Sequence, residues 1–139
     1  MRNNRALFVL LLAACIALTQ AYNLSELMKY LSNDEKTCNT PQDIAVFNKT
    51  QSTFNSDVAK CGLTCLGKSE CITNCIIEKE QVTKGCALCY TDNVHCIVSN
   101  CLSKCFNPKA PACKECNKKN CVPTLVECSK VDPKLLPKD

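Results

Sequence analysis

The sequence predicts a small, all-α, disulfide-rich helical protein. It is built from two stapled antiparallel helical hairpins plus an N-terminal helix. Three observations carry this expectation. Fifteen of 139 residues are cysteine and only three are glycine, the composition of a disulfide scaffold without the glycine of a loop-rich knot. Apolar residues recur at helical spacing, and no long alternation of β-branched and aromatic residues occurs. Nine cysteines fall between Cys86 and Cys128, in a pattern that reads almost the same from either end.

Taken in order, residues 1–21 read as a secretory signal peptide. Arg2 and Arg5 make a basic start, residues 6–18 are apolar throughout, and Thr19-Gln20-Ala21 supplies small residues for cleavage. An apolar run of about 13 residues is too short to span a bilayer. Removing 21 residues of 139 leaves 118, and takes Cys15 with it, leaving 14 cysteines. An even count in an oxidising compartment implies seven disulfides. Residues 22–130 are expected as a single cysteine-rich helical domain, and 131–139, with Pro133 and Pro137, as an extended C-terminal tail.

Charge excludes some functions. Both arginines lie in the signal, and the remainder holds 15 lysines against 13 acidic residues, well interspersed. A nucleic-acid binder would show an arginine-rich basic stripe. Tryptophan is absent, so neither an interfacial membrane anchor nor a Trp/Arg hot spot is advertised.

Residues 22–36 read as the first helix, with Leu24, Leu27, Met28 and Leu31 on one stripe. Thr40-Pro41 is a helix start, threonine capping and proline at the first position. A long second helix is expected from there to near Gly67, carrying Ile44, Phe47, Phe54 and Val58. Ser69 caps a third helix over 70–82, ended by Lys84-Gly85. The fourth runs over 86–106, and Asn107-Pro108-Lys109-Ala110-Pro111 turns the chain. A last helical segment covers 112–129, with a break between Asn120 and Pro123.

The cysteine spacing suggests the pairing. From the left, Cys89, Cys96, Cys101 and Cys105 are separated by 7, 5 and 4; from the right, Cys128, Cys121, Cys116 and Cys113 by 7, 5 and 3. Two antiparallel helices would then bridge Cys89–Cys128, Cys96–Cys121, Cys101–Cys116 and Cys105–Cys113. A smaller hairpin would bridge Cys61–Cys75 and Cys65–Cys71, leaving Cys38–Cys86 to clip the N-terminal helices to the core. At about 100° per residue, Cys89 and Cys96 point about 140° away from Cys101 and Cys105. Both strands of the ladder must therefore change face at one rung, near Asn100 and near Pro123. A rival ladder, Cys75–Cys86, Cys71–Cys89, Cys65–Cys96 and Cys61–Cys101, would join the third helix to the fourth. The Cys61-x₃-Cys65-x₅-Cys71-x₃-Cys75 spacing resembles the stapled core of the α-hairpinins, small plant peptides that include trypsin inhibitors and antimicrobials. The resemblance covers 15 residues and lacks an inhibitory arginine, so it implies a hairpin and no functional residue.

Chemistry is sparse. Cys86-x₂-Cys89 and Cys113-x₂-Cys116 have zinc-knuckle spacing, but behind a signal peptide disulfides are the better reading, and no metal or cofactor is expected. His95, the only histidine, has no marked nucleophile beside it. Lys109, Lys114, Lys118 and Lys119 read as a solvated face. Asn48-Lys49-Thr50 and Asn23-Leu24-Ser25 are glycosylation sequons, with Asn48 and Asn23 as acceptors. The expected function is that of a secreted, non-enzymatic binding protein, an extracellular signal or effector that meets a protein partner. Two alternatives stay open. One is a structural, self-associating component of a coat, matrix or secretory granule. The other is a carrier of a small hydrophobic ligand, its cavity lined by Leu24, Leu27, Met28, Leu31, Phe47 and Phe54.

Overall fold

A computed structural model describes residues 35–138. Six α-helices and one 3₁₀ turn follow one another, and no strand occurs among the described residues. The signal peptide expected over 1–21, Asn23, and the stripe of Leu24, Leu27, Met28 and Leu31 lie outside the described residues, as does all but the end of the helix expected over 22–36.

Helix α1 (Pro41–Thr50) starts as the Thr40-Pro41 pair dictates. Thr40 is extended and its hydroxyl accepts from the Asp43 amide at 3.1 Å. Asp43 is fully buried, and its carboxylate accepts from Thr40 Oγ1 at 2.6 Å, Thr83 N at 2.8 Å and Thr83 Oγ1 at 3.0 Å. Three donors offset the cost of burying that charge. Thr83 is in turn the N-cap of helix α4 (Lys84–Cys101), so one carboxylate ties the starts of two helices together. The Cys38–Cys86 disulfide locks the same corner.

The single long helix expected from Thr40 to Gly67 is two helices. Thr50-Gln51-Ser52-Thr53 interrupts it, and helix α2 (Phe54–Thr64) begins afterwards. Hydroxyl side chains compete here for the backbone: Thr50 Oγ1 donates to Val46 O at 2.9 Å, and Thr53 N closes a turn onto Thr50 O at 3.0 Å. The break has a packing reason. In a continuous helix Phe47 and Phe54 would sit about 10 Å apart along the axis. Here their rings meet edge-on at 5.2 Å, and both contact the ring of Tyr90, at 6.1 and 4.8 Å. All three are buried, and such pairs contribute about 0.5–1.5 kcal/mol each beyond their area.

Leu66 and Gly67 turn the chain in the left-handed region (φ 50° and 80°), a conformation glycine adopts without steric cost. Helix α3 (Ser69–Glu80) then returns along α2, stapled by Cys61–Cys75 and Cys65–Cys71. Ser69 is not its cap. The cap position is Lys68, without a side-chain bond, and the Ser69 hydroxyl lies 2.9 Å from His95 Nε2. Gly85 does not end α3 either: Gln81, left-handed at φ 60°, does so, and Gly85 is buried in the first turn of α4. The threonine at 83 wins because it caps the next helix.

Helix α4 packs against α2, α3, α5 and α6. It gives way to a 3₁₀ turn, Leu102–Lys104, instead of continuing to Phe106. Helix α5 (Pro111–Asn120) and helix α6 (Val122–Ser129) return along it, separated by Cys121 at φ −119°, ψ −33°. Pro123 falls in the first turn of α6, where its missing N–H has no intrahelical partner to lose. The junction at Cys121 falls where the cysteine faces require a change, whereas on the other strand α4 runs unbroken through Asn100 and gives way only after Cys101. Residues 131–138, expected as an extended tail, fold back instead. Lys130 reverses the chain at φ 56°, Val131 and Leu136 are buried, and Asn55 Nδ2 donates to Pro137 O at 3.0 Å.

Burial and the nearby charge of Asp57 raise the Glu80 carboxyl above the usual carboxylate range. The folded protein therefore holds that proton to higher pH than the unfolded chain does. The resulting stability is complete below the unfolded value and is lost as pH rises through the raised folded one. Glu80→Gln should unfold at nearly the wild-type denaturant midpoint at pH 4 and at a higher midpoint at pH 7; equal midpoints at both pH values would contradict this.

Cys38–Cys86 closes a separation of 48 residues and Cys65–Cys71 one of 6. In the chain-entropy treatment these constraints are worth about 4 and about 2 kcal/mol. Cys38→Ala should therefore cost on the order of 4 kcal/mol in chemical unfolding. It should also leave one thiol, Cys86, which is fully buried and should label with maleimide only after unfolding. Peptide mapping that found the label on another cysteine would refute the pairing.

Candidate functional site

An apolar groove lies between α2 and the hairpin formed by α4, the 3₁₀ turn and α5. Val58, Ala59, Gly62 and Leu63 fall at helical spacing on one face of α2. Tyr90, Asn93, Val94, Ile97 and Val98 do the same on α4, and Leu102, Pro108, Lys114 and Asn117 complete the wall. The groove is open on one side and its volume is about 160 Å³, close to that of an engineered apolar cavity that holds benzene. A second depression of about 300 Å³ adjoins it at Asn55, Ala59, Leu63, Pro108 and Lys114.

Local sequence explains the shape. Gly62 lets α2 and α4 approach closely, since a Cβ there would sit 2.9 Å from Val94 Cγ1. The Cys105–Cys113 disulfide closes the far end by tying the 3₁₀ turn to α5. Tyr90 forms the floor, and burial together with the charge of Asp43 holds its phenol protonated well above the ordinary tyrosine range. At the mouth the side chains are unusually apolar: Leu63 is 67 % exposed, Leu102 53 % and Val98 45 %.

Two polar atoms in the walls stand out. Asn93 Nδ2 and Asn117 Oδ1 are buried without a hydrogen-bond partner among the described residues. A buried amide left unpaired costs roughly 1–3 kcal/mol, and folded proteins avoid it at the great majority of positions. The sequence gives no sign of these two residues, because an asparagine on a helix reads as an exposed polar position until the packing is known.

All seven pairs selected by the spacing are brought together: Cys38–Cys86, Cys61–Cys75, Cys65–Cys71, Cys89–Cys128, Cys96–Cys121, Cys101–Cys116 and Cys105–Cys113. The rival ladder is not formed. The sulfurs of Cys86, Cys89, Cys113 and Cys116 are each bonded to a different partner, and so no longer present the thiolates a zinc knuckle needs. Phe47 and Phe54 are core residues, fully buried, and not the cavity lining expected for a carrier. Their aromatic contacts with Tyr90 consume the surface that a ligand would use.

His95 has a hydroxyl neighbour that sequence reading missed, Ser69, contributed by the start of α3. The pair sits on an exposed surface outside the groove. Of the lysines, Lys114 borders the groove, Lys109 the adjoining depression, and Lys119 a separate hollow with Lys104. They do not form one anion site. Asn48 is exposed on α1. No helix among the described residues is long and apolar enough to cross a membrane. No family model matches the chain, and no curated protein and no solved structure is detectably similar to it.

Proposed function

We propose that the chain is a secreted, non-enzymatic binding protein that holds a small apolar ligand in the groove between α2 and α4. The observation that carries this is the cavity: apolar on most of its wall, open at a mouth of exposed leucine and valine, and framed by disulfides. Cavities of this kind are where small ligands bind. Rigid walls also lower the ordering cost of association. Seven disulfides are consistent with an oxidising or extracellular compartment. Export through the N-terminal signal and a glycan at Asn48 belong to the same reading.

A second reading rests on a separate observation. Phe106 and Leu66 are 85 % and 87 % exposed, on the turns that follow the 3₁₀ segment and α2. Large apolar side chains left in water suit a protein partner, either a receptor or another copy of this chain.

Native mass measurement on protein recovered from its own secretion separates these readings. The expected spectrum shows the oxidised monomer carrying a small, dissociable adduct. Ala59→Leu, which places a larger side chain in the groove from a half-buried helical position, should abolish the adduct while leaving the thermal midpoint within a few degrees of wild type. A bare monomer with both proteins would overturn the carrier reading; a series of oligomers would favour self-association.

A further inference from the structure

The groove between α2 and α4 opens into a hollow of different character. Asn55, Ala59, Leu63, Pro108 and Lys114 line both the groove and the adjoining depression of about 300 Å³, so the two are continuous. The depression adds Ser52, Ser56, Lys60 and Lys109 to its wall. No aspartate or glutamate among the described residues lines either hollow. Lys60 is held by Asp57 at 2.8 Å, whereas Lys109 and Lys114 have no acidic partner among the described residues. Both are exposed. Lys114 is the one charged residue common to the two walls among the described residues, and a lysine lays its methylenes along apolar surface while its ammonium stays in water. An apolar trough thus runs into a basic, hydroxyl-bearing one.

Resting on the groove as the binding site, we propose that its ligand is a single-chain amphiphile with an anionic oxygen head, a carboxylate or a phosphate monoester. Its chain lies against the accessible side chains of Leu63, Val98 and Leu102, and its head enters the depression, where Lys109 and Lys114 attract it. Charge complementarity selects the head. A cationic head would meet two lysines that no carboxylate neutralises. A neutral head would gain the apolar burial and nothing from those lysines. An anion gains their attraction as well, and Asp57, which would oppose it, is already committed to Lys60. The groove volume of about 160 Å³ sets the part of the chain held there at about six carbons, since a cavity of that size takes one benzene. The remaining carbons and the head extend through the open side into the depression.

The test titrates four ligands that share one chain length, octanoate, octyl phosphate, octanol and octylamine, into the oxidised, secreted protein at pH 7. Binding is followed on the NMR methyl signals of Leu63, Val98 and Leu102. Octanoate and octyl phosphate should each bind about fivefold more tightly than octanol, with octylamine weakest, and the tighter of the two anions names the head. In a groove without charge the order reverses, because an ionised head gives up hydration. Raising the ionic strength to about 1 M, where screening acts within about 3 Å, should remove most of the preference. Replacing both lysines, Lys109→Gln with Lys114→Gln, should abolish it and leave octanol binding and the thermal midpoint unchanged, since both side chains are exposed. Octanol binding as tightly as the anions, or a preference that survives the double replacement, would overturn the head-group assignment and leave the groove standing. If none of the four moves these methyl signals, the assignment and the groove reading both fall.

Discussion

Helix α4 is held by four disulfides that leave it in four directions. Cys86 reaches the segment before α1, Cys89 reaches α6, Cys96 the junction at Cys121, and Cys101 reaches α5. Helices α2, α3, α5 and α6 pack against α4, and Tyr90 on it meets Phe47 of α1 and Phe54 of α2. A chain this short buries a modest core, and covalent restraint of the unfolded state supplies what packing does not. The position of α4 is therefore the constraint on which the others depend.

That division of labour bears on the groove. In a domain stabilised by its core alone, two unpaired buried amides would take a sizeable share of a net stability of about 5–15 kcal/mol. Here seven disulfides share the task of holding the fold, so an apolar groove and two unpaired buried amide atoms beside it are tolerated where α2 meets α4. The buried Asp43 contrasts with them. It too is polar and enclosed, but it is bonded by Thr40 and Thr83, and its role is to join two helix starts.

Much of this architecture was legible in the sequence, because cysteine spacing along a helix is a geometric statement. The gaps of 7 and 5 on both strands select the rungs, and the mismatch between cysteine faces demands a break that is seen at Cys121 on one strand, while the other stays helical through Asn100 and ends at Cys101. What was not legible was decided by contacts between distant residues. The interruption at Thr50–Thr53 follows from the attraction of Phe47 and Phe54 to Tyr90, which no local propensity encodes. Ser69 and Gly85 carry valid helix-end signals, but the signals of Gln81 and Thr83 prevailed once α3 and α4 were packed. The groove depends on which face α2 turns to α4, and its asparagines acquire meaning only by being enclosed.

The disulfides also divide the molecule into separate covalent circuits. One closes on itself through α2 and α3, by Cys61–Cys75 and Cys65–Cys71. Another runs through α4, α5 and α6 and takes in the segment at Cys38. No bridge among the described residues crosses from the first circuit to the second, and the groove lies on the seam between them. Its width is set without a covalent tie, by packing of Gly62 on Val94 and Phe54 on Tyr90 and by hydrogen bonds such as Thr73 to Thr91 and Asn55 to Pro137. The molecule is thus two separately stapled parts, joined at the corner where Asp43 holds Thr83 and Cys38 holds Cys86, and meeting elsewhere without a covalent tie.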